Sequence, residues 1–155
     1  METSEKTLSR MGQQGDSKSQ MNRVENVREL YRQMINSEKY YFSELKPSHL
    51  QDKVAVVYAI TNFHTQQVLY VGKTTNLRRR LYTNHLMGPL TNARLKKYLI
   101  DDVDVPEVSD VVSAKNYLKE HCYFQYVTES DMRLRGQLEG LFSYLLDAKY
   151  VDKEH

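Results

Sequence analysis

Val54-Ala55-Val56-Val57-Tyr58-Ala59-Ile60 and, beyond the polar stretch 61–67, Val68-Leu69-Tyr70-Val71-Gly72 are the two runs on which the fold turns. The first is an unbroken series of β-favouring side chains with no polar alternation, which predicts a strand buried on both faces. The second is a shorter strand of the same character, and the brief connection between them predicts an antiparallel hairpin. Downstream, Asn76 is placed to cap a helix carrying Leu77, Leu81 and three arginines, closed by Met87-Gly88-Pro89. Thr91 or Asn92 can open another helix through residues 95–100. The acidic stretch 101–110 reads as a surface loop, 114–120 as a short helix and 122–127 as a third strand. Residues 132–146 form a last helix, with Leu134, Leu138, Leu141, Phe142 and Leu145 on one face. The expected class is α+β, a small three-stranded antiparallel sheet flanked by helices.

Upstream of the hairpin, Val24, Val27, Leu30, Tyr31, Met34 and Ile35 recur at helical spacing, so residues 23–45 are expected to form an amphipathic helix. Residues 1–22 are rich in Ser, Gln and Lys and hold little to bury, which predicts a flexible arm. The chain then divides into an arm (1–22), a helical extension (23–50) and a domain (51–152). A length of 155 residues suits a single core. No run reaches the roughly 20 apolar residues of a membrane span, and the first residues lack the apolar segment of a signal peptide. A cytoplasmic protein is expected. Cys122 is the only cysteine, which excludes an intramolecular disulfide and a cysteine-built zinc site, so a metal would be held mainly by oxygen.

The net charge of +2 conceals a polarised distribution. Between Lys53 and Lys97 stand eight basic residues and no Asp or Glu, while acids gather in 101–110. A nucleic-acid backbone suits such a segment, because Lys and Arg gain affinity by displacing condensed counterions. A solvated basic face is the competing structural reading.

The hairpin residues resemble the signature of the GIY-YIG nucleases. Val56-Val57-Tyr58 stands where that family has Gly-Ile-Tyr, and after eleven residues Tyr70-Val71-Gly72 stands for Tyr-Ile-Gly. Arg80, eight residues past Gly72, falls where the family has its catalytic arginine, and Glu139 on the last helix falls where it has its metal-binding glutamate. The resemblance spans about residues 54–150. It implies a GIY-YIG-like fold, a divalent-metal-dependent endonuclease and DNA as partner. Mg2+ (or Mn2+) would be anchored by Glu139, Tyr58 would help to deprotonate water, and Arg80 would grip the phosphate, with Tyr70 and Lys73 orienting water or phosphate. Gly72, Arg78, Arg79, Lys96 and Lys97 are the expected substrate contacts.

The chemistry fits those residue types. Phosphodiester hydrolysis needs an activated water, charge neutralisation on the phosphoryl oxygens and a stabilised leaving oxygen. A hydrated Mg2+ on one carboxylate supplies the last two. A phenol, with a pKa near 10, needs cationic surroundings to act as a base near neutrality. Two positions depart from the family. Its histidine, four residues after the arginine, is here Asn84, with His85 one residue later and about 140° around an α-helix from Arg80. His85 and the loop residue His64 are the candidates for that role. The asparagine that follows the last helix in the family has no counterpart in 147–155. Glu139 could instead pair with Arg135 one turn earlier. A single such site cuts one strand, which makes a homodimer one route to a double-strand break. A restriction-type or phage-associated nuclease would suit this architecture. The alternatives are a catalytically inactive nucleic-acid-binding module and a protein-interaction domain that keeps the fold.

Overall fold

The computed structural model describes residues 17–89 and 94–152. The chain forms two compact units, Met1–Asn36 and Ser37–His155. In the first, helix α1 spans Ser17–Ile35, with Arg32 in its last turn where a cation meets the negative end of the helix dipole. The helix begins inside the expected arm, of which residues 1–16 lie outside the described residues. It also ends ten residues short of the boundary read from spacing. The following residues belong to the second unit, because Tyr40–Tyr41 form an edge strand, β1. Tyr40 stacks on Phe124 at 5.2 Å and Tyr126 at 5.7 Å, and this cross-strand stacking outweighs a helical pattern that 36–45 shares only weakly.

The second unit is built on a four-stranded antiparallel sheet in the order β1-β4-β2-β3, one strand more than the sequence suggests. Strand β2 spans Val56–Asn62, β3 Gln67–Thr74 and β4 Cys122–Thr128. β2 is flanked by β3 and β4, which is why six of its residues in succession are buried. Register matters for the site. Tyr58 faces Gly72 on one side and Tyr126 on the other. Ile60 pairs with Tyr70 in the same register, and a bulge after it shifts the pairing by one, so that Thr61 meets Val68.

Helices cover the sheet. Helix α2 spans Arg94–Asp101, α3 Val111–His121 and α4 Met132–Leu145. The opening of α2 proposed at Thr91 or Asn92 lies outside the described residues. Asp110 caps α3 by accepting from Ser113 N at 2.8 Å, and Asp131 caps α4 by accepting from Leu134 N at 3.2 Å. The acidic loop is therefore partly structural. Asp102 accepts from Lys149 Nζ at 2.9 Å and the Tyr150 hydroxyl at 2.7 Å, partners that hold its carboxyl down at about 2. These bonds fix a C-terminal segment whose Lys149 and Tyr150 amides donate to Val68 and Leu69 of β3. The core lies between sheet and helices, with Ile60, Leu77, Leu81, Leu95, Leu99 and Phe124 all fully buried. Among the described residues no helix is long and apolar enough to cross a membrane.

The helix after the hairpin departs most from expectation. Asn76 does cap it, accepting from Arg79 N at 3.1 Å, but Arg79–Leu86 is a π-helix. At its end Met87 N reaches back five residues to Tyr82 O at 3.0 Å. The chain then folds tightly against the helix at Gly88. A Cβ there would lie 2.5 Å from Asn84 O, a position only glycine can fill without backbone movement.

Candidate active site

β2 and β3 present their tyrosines at one end of a cavity of about 360 Å³, walled by the π-helix, α4 and the C-terminal segment. Tyr58 is almost wholly buried, and its ring lies across Gly72, where a Cβ would sit 2.3 Å from its hydroxyl. The glycine of the second signature is thus the floor on which the tyrosine of the first rests. Tyr70 stands beside it, ring centroids 6.4 Å apart. Lys73, further along β3, lines the same cavity, as do Arg80 and Asn84 of the π-helix and Glu139 of α4.

The π-helix resolves the displacement of the histidine. With closure five residues apart, positions 80 and 85 fall about one turn apart instead of on divergent faces. His85, fully buried, thereby meets the Tyr58 hydroxyl through Nε2 at 2.7 Å. In an α-helix the same position would face away from Arg80. Burial first, then the positive charges of Arg80 and Lys96, press its pKa down to about 3. The ring is neutral; its Nε2 pairs with the Tyr58 hydroxyl and its Nδ1 is buried with no protein partner, so Tyr58 is the donor in the tautomer that carries the ring proton on Nδ1. In that tautomer Tyr58 directs its hydroxyl proton at the imidazole. Its pKa is raised well above 10 by burial and by the neighbouring Tyr70, with Arg80 opposing, so the resting group is the phenol. Tyr70 is pushed up to about 12, mostly by burial.

Glu139 is half-buried, and burial raises its pKa while Lys73 pulls it back. The competing pairing with Arg135 does not occur, since Arg135 Nη1 donates to the carbonyls of Glu129 at 3.0 Å and Ser130 at 2.9 Å. Arg80 Nε is buried without a protein partner, a donor held in reserve at the cavity wall. Residues 54–118 match the GIY-YIG catalytic domain. This is the domain of a nuclease family, and the match runs from the hairpin through the arginine helix and α2 into α3. No curated protein and no solved structure matches the chain.

The structure brings Tyr58, Tyr70, Gly72, Lys73 and Arg80 of the matched stretch to one cavity, with Glu139, from beyond that stretch, also lining it. Other expected contacts lie elsewhere. Lys96 is completely buried and does not reach a surface where a backbone phosphate could lie. Arg78 spends its Nε on Leu50 O at 2.9 Å, a structural bond. Arg79 and Lys97 are exposed outside the cavity. His64 is absent from the site, its ring packing at the hairpin turn on Phe63 and His121 at 4.2 and 5.1 Å.

Sequence reading missed Arg94 and Asp152, which complete the cavity lining. They pair at 2.5 Å, and Tyr98 also donates to Asp152, at 2.8 Å. Nothing in either residue's local sequence marks it, because Asp152 reaches the cavity only through the pairing of Lys149 and Tyr150 with β3. It comes from the segment in which the family's asparagine was sought.

A divalent ion fits this donor set sparsely. Among the described residues no group of three or more His, Cys, Asp or Glu converges. Glu139 is the one cavity carboxylate not paired with an arginine, and Asp152 is occupied by Arg94. That suits Mg2+, which keeps most of its waters and accepts a single carboxylate anchor, better than a metal needing a full protein cage.

Proposed function

We propose that this protein is a divalent-metal-dependent DNA endonuclease whose reaction takes place in the Tyr58–Arg80–Glu139 cavity. The observation that carries the reading is the buried Tyr58–His85 hydrogen bond opening onto a cavity with an unpartnered guanidinium donor and a half-buried carboxylate. Phosphate binding alone has no use for a carboxylate beside the substrate or for a phenol backed by imidazole. The scissile phosphate is gripped by Arg80, whose planar fork matches its oxygens. Lys73 adds charge from β3. The attacking water is held by Tyr58, and as it loses a proton to the phenol oxygen, Tyr58's own proton moves to His85 Nε2. Buried imidazole is a weak base, so the step draws on phosphate negative charge arriving in the cavity. Glu139 would hold Mg2+ or Mn2+, which when bound would supply charge neutralisation at the phosphoryl and leaving oxygens.

Arg80→Ala and Glu139→Gln are each expected to abolish plasmid nicking in the presence of Mg2+ without lowering the unfolding midpoint by more than a few degrees. Unimpaired nicking by both variants would overturn the assignment. Cation choice is read by replacing Mg2+ with Mn2+ and Ca2+, and substrate choice by comparing DNA with RNA. The chain's basic segment and the family's chemistry support DNA as partner, and a sizing measurement on and off DNA tests whether two copies act together. The cytoplasmic setting and a restriction-type or phage-associated role stay expectations of this reading.

A further inference from the structure

Lys96 is fully buried in α2, yet it carries an ammonium group and meets no carboxylate among the described residues. Its Nζ donates to Leu86 O at 2.7 Å and Gly88 O at 3.0 Å. Those two carbonyls end the π-helix, where backbone acceptors are left without intrahelical partners and the dipole is negative. The ammonium thus closes the helix from a neighbouring element, one residue beyond His85. The Gly88 backbone packs so closely on Asn84 O that the end has little room to relax. A π-register is rare and persists only where something outside the helix holds it.

We propose that Lys96 is a positioning residue for the reaction, clamping the open end of the π-helix through the Leu86 and Gly88 carbonyls and so holding the His85 ring against Tyr58. The inference rests on the catalytic reading of the Tyr58–His85 pair. The groups facing His85 are Tyr58 from β2, Tyr70 from β3, Arg80 on its own helix and Lys96 from α2; Lys115 of α3 bears on Lys96 in turn. The two cations also keep the imidazole neutral. An imidazolium would donate from both nitrogens and could not accept the Tyr58 proton.

The test is Lys96→Met in the full chain, followed by ring-nitrogen NMR of His85 and by nicking kinetics. In the wild type His85 is expected as one tautomer, protonated on Nδ1, with no second proton until the pH nears 3. In Lys96→Met the ring is expected to sample both tautomers and to protonate at a higher pH. Its kcat should fall about tenfold or more with KM little changed, the size of effect expected when a proton-transfer group loses alignment. In a His85→Gln background the same substitution should add less than about twofold, since the two residues act as one unit. Identical His85 spectra in wild type and Lys96→Met, or an equal kcat loss in both backgrounds, would overturn the proposal. A wild type that cleaves no DNA would refute the nuclease reading instead, and the NMR comparison would still decide the role of Lys96. Should Lys96→Met fail to fold, a wild-type titration replaces it. Burial, then Lys115, brings Lys96 down to about 8, so the His85 ring signals should shift with that midpoint as the ammonium is lost. Signals constant from about pH 7 to 9.5 would refute the clamp.

Discussion

Gly72→Ala isolates the contact on which the site's geometry rests. The added Cβ would sit 2.3 Å from the Tyr58 hydroxyl oxygen, 2.5 Å from Cζ and 2.9 Å from Cε1, so ring and methyl cannot share the space. Tyr58 is buried between β3 and His85 and cannot swing outward without breaking the 2.7 Å bond to Nε2. Overpacking of this kind costs about 1–3 kcal/mol. Loss of a positioned proton-transfer group adds a rate penalty of about 10²–10⁴-fold. Gly136→Ala and Gly140→Ala, both in α4, supply internal controls. A Cβ at Gly136 meets only Lys73 Nζ at 3.3 Å, the free end of a flexible side chain, and a Cβ at Gly140 meets nothing within 4 Å. Gly140→Ala should therefore stabilise α4 by up to about 1 kcal/mol through helix propensity and leave cleavage unchanged. The assay is thermal unfolding of all three variants alongside plasmid nicking and the His85 ring-nitrogen spectrum. Wild-type stability and nicking in Gly72→Ala, with the His85 tautomer unaltered, would refute the claim that Gly72 exists to seat Tyr58.

Asp152→Asn should free Arg94 from its 2.5 Å partner and tighten DNA binding at low salt, read as a lower KM in nicking; unchanged KM would mean the pair lies outside the path of the substrate. Asp102→Ala removes the acceptor of Lys149 and Tyr150, so the segment carrying Asp152 should loosen, visible as faster amide exchange at Lys149 and Tyr150 and a stability loss of about 1–3 kcal/mol. His85 contributes an acid-side instability. Its pKa is about 6.5 in the unfolded chain and about 3 when folded, so the unfolded state takes up the proton first and stability falls as pH drops from about 6.5 toward 3. Thermal scans should show that decline, and His85→Gln should flatten it.

The hairpin was legible because its signal is local. An unbroken apolar run marks a strand covered on both faces, and β2 lies between β3 and β4 for that reason. Caps were legible on the same ground, as at Asn76, where the side chain reaches an amide three residues on. Strand β1 was not, because its two tyrosines pair with β4 more than eighty residues away, Tyr40 stacking on Phe124 and Tyr126 and Tyr41 lying against Tyr123. Lys96 misled for a related reason. Its charge and its neighbour Lys97 suggest a surface, and only tertiary structure supplies the two carbonyls that let it be buried.

The histidine shows where one-dimensional spacing fails even when the motif is correctly aligned. A one-residue displacement from position 84 to 85 rotates a side chain by about 100° on an α-helix, enough to remove it from a site. The chain compensates by widening the helix to five-residue closure, which returns position 85 to the neighbourhood of Arg80 and Tyr58. Spacing rules assume the helix type, whereas the packing partners at the helix end decide it. In this domain those partners are Gly88, which lets the chain turn back on Asn84, and Lys96, which binds the exposed carbonyls. On the proposed reading, the residue that holds His85 in place is a lysine eleven positions away from it, on a different helix, with its charge turned inward.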